Sequence, residues 1–266
     1  MRRMLHDLDM ILHEFPGDID IYPIADVHLG AVEHAEQEWQ AFLKRVEKEN
    51  AYLILAGDLL NNNVRGVRFA NPFDEVLRPR ESKARMVEYL YPIRDRILCL
   101  VDGNHEARST RETDQSITYD ICARLSLEHL YRENIAFVKA SLGKRQRDAA
   151  PKCSYNIAVT HGSFGGALTG GAVNKNERFA SGAIEGLDCF VSGHVHKAFV
   201  TKPAKLVIDS KNNVVSLRHI TVVSCVSWLN YGGYAARALL PPAQIADPQR
   251  LHLVCTEHKK KIITTW

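Results

Sequence analysis

Five short apolar runs in this chain each end on side chains that ligate metals well. The runs are 19–25, 51–56, 97–101, 157–160 and 187–191. They lead into Asp26-Val27-His28, Gly57-Asp58, Gly103-Asn104-His105-Glu106, His161-Gly162 and Gly193-His194-Val195-His196. Runs of this length, bounded by Gly or polar residues, are predicted to be buried strands. In open α/β sheets, ligands sit beyond the carboxyl ends of the strands. The strand ends should therefore converge on one rim and carry Asp26, His28, Asp58, Asn104, His161, His194 and His196 to it. One polar strand end is ordinary, and the bland alternative is a scatter of core histidines and caps. Five ends that all bear oxygen or nitrogen ligands need a common cause.

Two divalent cations supply that cause. Imidazole and carboxylate without thiolate suit Mn²⁺, with Fe, Zn²⁺ and Ni²⁺ as alternatives. Two ions roughly 3.5–4 Å apart clamp the oxygens of an in-line displacement at phosphorus and lower the pKa of bound water. Asp58, in the middle of the set, is suited to bridge them.

The motifs D-x-H, G-D, G-N-H-[DE], H and G-H-x-H stand here in order between residues 19 and 200. In this the chain resembles the calcineurin-like metallophosphoesterase superfamily. The resemblance implies a four-layer α/β/β/α sandwich, two mixed sheets flanked by helices. It implies that Asp26, His28 and His196 hold one metal, that Asn104, His161 and His194 hold the other, and that Asp58 bridges. It also makes His105 catalytic without being a ligand, facing the scissile phosphate as electrostatic stabiliser or general acid. An imidazole suits that role because its pKa lies near operating pH.

A length of 266 residues fits one large domain, with the motif core over about 19–200 and a strand-rich completion over 201–266. Net charge is +3, which neither demands nor excludes nucleic acid. The cysteines are far apart, and Cys99, Cys189, Cys225 and Cys255 lie in apolar runs, as buried free thiols do. Charges interrupt residues 1–15, which excludes a signal-peptide core there, and no run approaches the ~20 apolar residues of a membrane span. The expectation is a reduced, cytoplasmic protein that avoids the membrane.

Helices are expected over 33–49, 81–91, 115–131 and around 174–183. Strands are expected near 135–138, 155–160, 187–191, 205–208, 220–226 and 251–255 in addition to the early runs. Their alternation in the first half predicts stacked βαβ units and a largely parallel sheet.

The superfamily's protein phosphatases continue the G-D motif to a second Asp and then Arg-Gly. Here Gly57-Asp58-Leu59-Leu60 runs into Asn61, and no Arg-Gly follows. Asn61 thus stands where an Asp would pair with the catalytic His, and Asp102 is the other candidate for that pairing. Both losses count against a phosphoserine/threonine phosphatase. The opening Asp26-Val27-His28-Leu29-Gly30 is similar to that of SbcD-type DNA nucleases. Basic groups at Arg78, Arg80, Lys83 and Arg85 suit nucleic-acid phosphates, DNA or RNA, although a solvated face is the usual alternative. Two other basic groups, 139–147 and 259–261, are read the same way. The Gly-rich stretch 162–171 either lets backbone N–H groups approach phosphate closely, with Lys175 and Arg178 following, or is a flexible surface loop. Asn61, Arg78, Arg80, Lys175 and Arg178 are therefore the candidate substrate contacts. Trp228, Tyr231 and Tyr234 either stack bases or edge the core. The expected activity is phosphodiester hydrolysis on nucleic acid, with a phosphomonoesterase as the alternative and a metal-stabilised scaffold as a third.

Overall fold

A computed structural model describes residues 8–64, 75–143, 153–163, 169–237, 239, 241–242, 247–256 and 259–266. In chain order the strands are β1 (Met10–Phe15), β2 (Ile19–Ile24), β3 (Tyr52–Ala56), β4 (Ile97–Val101) and β5 (Tyr131–Arg132). Next come β6 (Ile135–Leu142), β7 (Cys153–Thr160), β8 (Cys189–Ser192), β9 (Phe199–Thr201) and β10 (Ala204–Asp209). The last are β11 (Val214–His219), β12 (Thr221–Ser224), β13 (Arg250–Thr256) and β14 (Lys259–Thr265).

β2, β3 and β4 are almost wholly buried, which is why they read as unbroken apolar runs rather than as alternation. They pair in parallel, with β5 beyond β4, and β13 and β14 close the other side antiparallel in the order β14-β13-β2-β3-β4-β5. The second sheet runs β1-β6-β7-β8-β12-β9 and mixes both senses of pairing. The sheets face one another through contacts such as β3 with β7 and β4 with β6. The first-half strands β2 to β5 are parallel, as expected, and both sheets are mixed, as expected: β13 and β14 add antiparallel to the first, and β6 with β7 and β12 with β9 are antiparallel in the second.

The helix Glu36–Glu49 presents Trp39, Phe42, Leu43 and Val46 at spacings of three and four. Burying Phe42, Leu43 and Val46 contributes about 1.5–3 kcal/mol each. Asn50 ends the helix in a left-handed conformation at φ 57°. The start lies three residues later than the expected 33, because Ala31 and His34 are committed to isolated bridges with Glu75 and Leu229 and to tight turns. The expected helix 115–131 is shorter, Ile117–Leu125, since Ser126 takes a left-handed turn. The helix Pro79–Leu90 begins two residues before the expected start, with Pro at its first position. Helix Thr169–Gly182 covers the outer face of β8, β12 and β9, packing Ala172 and Ala180 with Phe190, Phe199 and Val222. Helices thus flank the pair of sheets, as expected.

Cys153 on β7 and Cys255 on β13 form a disulfide between the two sheets, with Cα atoms 5.7 Å apart. This corrects the expectation that Cys255 is a free thiol; the partner was 102 residues distant and not legible from spacing. Cys99, Cys122, Cys189 and Cys225 are buried and free.

Candidate metal centre

The loops after β2, β3, β4, β7 and β8 bring all of the expected ligands together. Asp26, His28, Asp58, His194 and His196 have left-handed backbone conformations, with φ of 54°, 50°, 52°, 73° and 53°. Such conformations cost a non-glycine residue roughly 1–2 kcal/mol each, so the fold holds these side chains against local preference. Gly103 and Gly193 make the crowding possible. A Cβ on Gly103 would strike the Asp58 carboxylate, and one on Gly193 would strike Ala25 and come within 2.9 Å of Asp26 Oδ2.

The two carboxylates are held alike. Asp26 Oδ2 accepts from the His194 N–H at 2.9 Å, and its Oδ1 faces His196 Nε2 at 3.2 Å and His28 Nε2 at 3.8 Å. Asp58 Oδ1 accepts from the His105 N–H at 2.8 Å, and its Oδ2 faces His161 Nε2 at 3.1 Å and His28 Nε2 at 3.9 Å. Asp58 thus lies between a group formed by Asp26, His28 and His196 and a group formed by Asp58, His161 and His194. Asn104 Oδ1 joins the second group, 2.7 Å from His194 Nδ1 and 3.0 Å from His161 Nε2. His161 Nδ1 meets the Ala56 carbonyl at 2.9 Å, which leaves Nε2 free to face the cluster.

The charges are strongly coupled. Burial alone would raise Asp26 and Asp58, but the histidines around each hold both well below the usual carboxylate range. Burial would lower His161, and the carboxylates of Asp58 and Asp26 overcome this and raise it to about 10. His196 is raised in the same way against its burial, chiefly by Asp26. His194 is lowered, first by burial and then by its neighbour His161.

The residues fit a cation. His28 Nε2 and His196 Nε2 point at one another across 3.2 Å, and His194 Nδ1 and His161 Nε2 across 3.3 Å. Asp26 Oδ1 is buried and has no hydrogen-bond partner among the described residues. Lone pairs so arranged require a proton or a cation between them, and the His and carboxylate set can hold metal.

His105 lies beside this cluster, its Nε2 3.8 Å from Asp58 Oδ2, and with His28 and Asp58 it forms a third convergent group. Its Nδ1 donates to the main-chain carbonyl of Asn61, and its Nε2 receives the Arg108 guanidinium at 2.9 Å. Neither expected partner is used as expected. The Asn61 amide donates to Glu75 at 2.9 Å, and Asp102 turns to Tyr131 at 2.8 Å and to Ser116. Burial, with help from His28 and Arg108 and against Asp58, pushes His105 down to about 3.

The roles of three further residues emerge only from the structure. Arg108, half-buried on helix Glu106–Thr113, also donates to the Asn61 carbonyl and to Asn63. Glu106 is fully buried and accepts from the N–H groups of Asp58, Leu60 and Gly103 at 2.9–3.0 Å, bracing the second and third motifs together. Ser227, in the turn after β12, meets His196 Nδ1 at 3.3 Å. The helix 106–113 is absent from the expected elements, because its polar sequence lacks an apolar period; the G-N-H-E motif was its one signal.

Of the candidate substrate contacts, Arg78 and Arg80 are exposed at the start of helix Pro79–Leu90. The segment before them is tied to the first motif by the Val76 N–H donating to the Gly30 carbonyl at 2.8 Å. Lys83 and Arg85 are paired instead, Lys83 with Asp120 on the helix Ile117–Leu125 at 2.6 Å and Arg85 with Glu88 on its own helix at 3.4 Å. Lys175 donates to Ser163 at 2.9 Å, and Arg178 is exposed. Residues 164–168 of the Gly-rich stretch, basic residues Lys144, Arg145 and Arg147, and the Tyr234 side chain lie outside the described residues, while Gly170 and Gly171 open a helix. Lys260 pairs with Asp188 at 2.9 Å. Trp228 is core, 5.1 Å from Trp39, and Tyr231 is exposed. Among the described residues, no helix is long and apolar enough to cross a membrane.

Two mixed sheets with a His–Asp centre on their shared rim make this a metal-dependent hydrolase of phosphate esters. The chain belongs to the calcineurin-like phosphoesterase family, whose family model matches residues 19–198. Among solved structures it is similar to a predicted phosphoesterase from Streptococcus pneumoniae TIGR4, at 11% identity and TM-score 0.35, covering 93% of this chain and 98% of that one. It is also similar to the calcineurin-like phosphoesterase YfkN from Bacillus subtilis, at 10% identity and TM-score 0.37, covering 92% and 88%. No curated protein matches significantly.

Proposed function

We propose that the chain is a single-domain, cytoplasmic phosphodiesterase that takes two divalent cations, Mn²⁺ foremost, and acts on nucleic acid. Asp26, His28 and His196 would hold one cation and Asn104, His161 and His194 the other, with Asp58 contacting both. When bound, the cations supply Lewis-acid activation of water and of the phosphate. The chain's own residues do the rest. Asp58 and Asp26 each spend one oxygen on a neighbouring motif's N–H, which fixes the direction of the other. His105, its Nδ1 held by the Asn61 carbonyl, presents Nε2 towards the phosphate and would serve there, once that nitrogen carries a proton, as electrostatic stabiliser or general acid. Arg108 supplies a cation beside that ring and orients a phosphoryl oxygen.

The observation that carries the diester reading is the tie between Gly30, two residues beyond His28, and the segment that ends in exposed Arg78 and Arg80. It sets unspent positive charge next to the first motif, where flanking phosphates of a polymer would run. A second reading, a phosphomonoesterase, is favoured by Arg108, since a dianion gains from an added cation. Hydrolysis of matched aryl mono- and diesters with Mn²⁺, followed by single-stranded DNA and RNA, separates the two. Faster diester cleavage with nucleic-acid cleavage supports the first, and strict monoesterase activity replaces it with the second.

A further inference from the structure

Asn62, just beyond the second motif, is buried at 1% exposure and has a left-handed backbone, φ 45°. Its side-chain Nδ2 donates to the main-chain carbonyl of His105 at 2.7 Å. A carbonyl only accepts, so the amide has one orientation. The hydroxyl of Ser109, on helix Glu106–Thr113, meets the same amide at 3.0 Å from Nδ2 and 3.2 Å from Oδ1. The peptide bond that enters Asn62 is also committed. Its carbonyl, that of Asn61, accepts from His105 Nδ1 and from Arg108 at 3.2 Å. The Asn61 N–H donates to the Leu29 carbonyl at 3.0 Å, which anchors this backbone to the first-motif segment. His105 is therefore held at two points, its ring by the carbonyl that precedes residue 62 and its main chain by the amide of residue 62.

We propose that Asn62 is the positioning residue of His105, given the part that the proposed function assigns to that imidazole. One hydrogen bond at Nδ1 leaves a ring free to swing about its contact, and a second hold on the same residue's main chain removes that freedom. The φ torsion of Asn62 sets the angle between the Asn61 carbonyl and the Asn62 side chain, and so between the two holds. Asparagine meets both needs. It tolerates a left-handed backbone better than most residues with a side chain, and its amide donates to a main-chain carbonyl. An asparagine that merely braced the loop could bond to any free carbonyl nearby; this one bonds to that of the residue whose ring its own peptide bond holds. Neutral groups thus fix the tautomer and direction of His105 where no carboxylate meets Nδ1, and Nε2 is the nitrogen left facing Asp58 and Arg108.

A double-mutant cycle on the full chain with Mn²⁺ tests this, on whichever aryl ester, mono or di, the unaltered chain hydrolyses faster. Asn62→Gly keeps the left-handed backbone and removes the amide. It should lower kcat roughly 10²-fold, the cost of about 1 Å of misplacement, with KM and metal content unchanged. In His105→Ala, adding Asn62→Gly should cost less than about twofold, because the group it positions is gone. Ser109→Ala frees the amide from the helix and leaves the loop backbone alone, so it serves if Asn62→Gly does not fold. It should lower kcat by about 3–10-fold, the loss of one hydrogen bond, and that loss too should vanish in His105→Ala. Losses that multiply in the double variants overturn the proposal and make Asn62 a brace of the loop. An unchanged kcat, or loss of metal, in Asn62→Gly also overturns it. If His105→Ala itself leaves kcat unchanged, the role given to His105 falls as well, whereas multiplying losses strike Asn62 alone and leave that role standing.

Discussion

The guanidinium of Arg108 lies 2.9 Å from Nε2 of His105, on the ring nitrogen that faces Asp58. The other ring nitrogen is held by the Asn61 carbonyl, so His105 has one tautomer and one orientation. His105→Ala should slow hydrolysis by roughly 10²–10⁴-fold while both metals stay bound. Arg108→Ala should lower kcat/KM by about 10–100-fold, the loss of one charge-assisted hydrogen bond, and Arg108→Lys should recover part of it. Elemental analysis beside steady-state kinetics checks both. Loss of a metal in His105→Ala would make His105 a ligand instead.

Asp58 stands between the two histidine groups, and its Oδ2 is shared by His28, His105 and His161. Asp58→Ala should therefore remove metal and activity together, leaving well under the about two ions per chain expected of a binuclear site. Glu106→Gln should retain the fold but weaken metal binding, because three N–H donors that now meet a carboxylate hold Asp58 and Gly103 in place.

In the metal-free centre His161, raised to about 10, holds a proton at neutral pH that a cation must displace, and His196 is raised in the same direction by Asp26. Metal uptake at pH 7 should release protons, and affinity should fall as pH is lowered. Titration calorimetry in two buffers of different ionisation enthalpy measures the release. The sign for stability is opposite in the metal-free chain. There the His161 contribution is full below about 6.5, the ordinary histidine value, and is lost as pH rises through about 10. Thermal melts of the metal-free chain between pH 6 and 10 should show that decline.

For the substrate class, Arg78→Ala with Arg80→Ala should impair polymer cleavage far more than hydrolysis of a small diester. Polymer cleavage should also fall steeply with added salt. Adding Lys83→Ala and Arg85→Ala should do little more, because those cations are already paired with Asp120 and Glu88. Equal damage to polymer and small ester by the first pair would count against a role in holding flanking phosphates.

The bridge between Cys153 and Cys255 ties β7 to β13 across a sequence separation of 102 residues. Cys255→Ser should lower stability by typically 2–4 kcal/mol, mainly by freeing the unfolded chain. It should leave metal stoichiometry unchanged, since Cys153 lies at the opposite end of β7 from His161 and Cys255 lies on β13, which carries no motif residue. Chemical denaturation of the oxidised and variant chains gives the difference.

The ligand types, their order and the rim they share are legible in the amino-acid order. Those are local properties: a buried strand shows as an apolar run, and its last residue must leave the sheet at a known end. Short or half-polar strands such as β1, β5, β9 and β11 carry no such period, and they became legible only once neighbours paired with them. How each site residue is held came from the folded arrangement. Asn61 and Asp102 were equal candidates in sequence, yet a main-chain carbonyl holds His105, because a loop 44 residues earlier in the chain brings its backbone there rather than its side chain. Arg108 looked like any charge on a polar stretch until helix 106–113 turned it onto the imidazole. The same holds for Lys83, whose partner Asp120 sits on another helix. Strand ends are set by short-range sterics and burial, whereas hydrogen-bond and ion partners depend on where distant segments return.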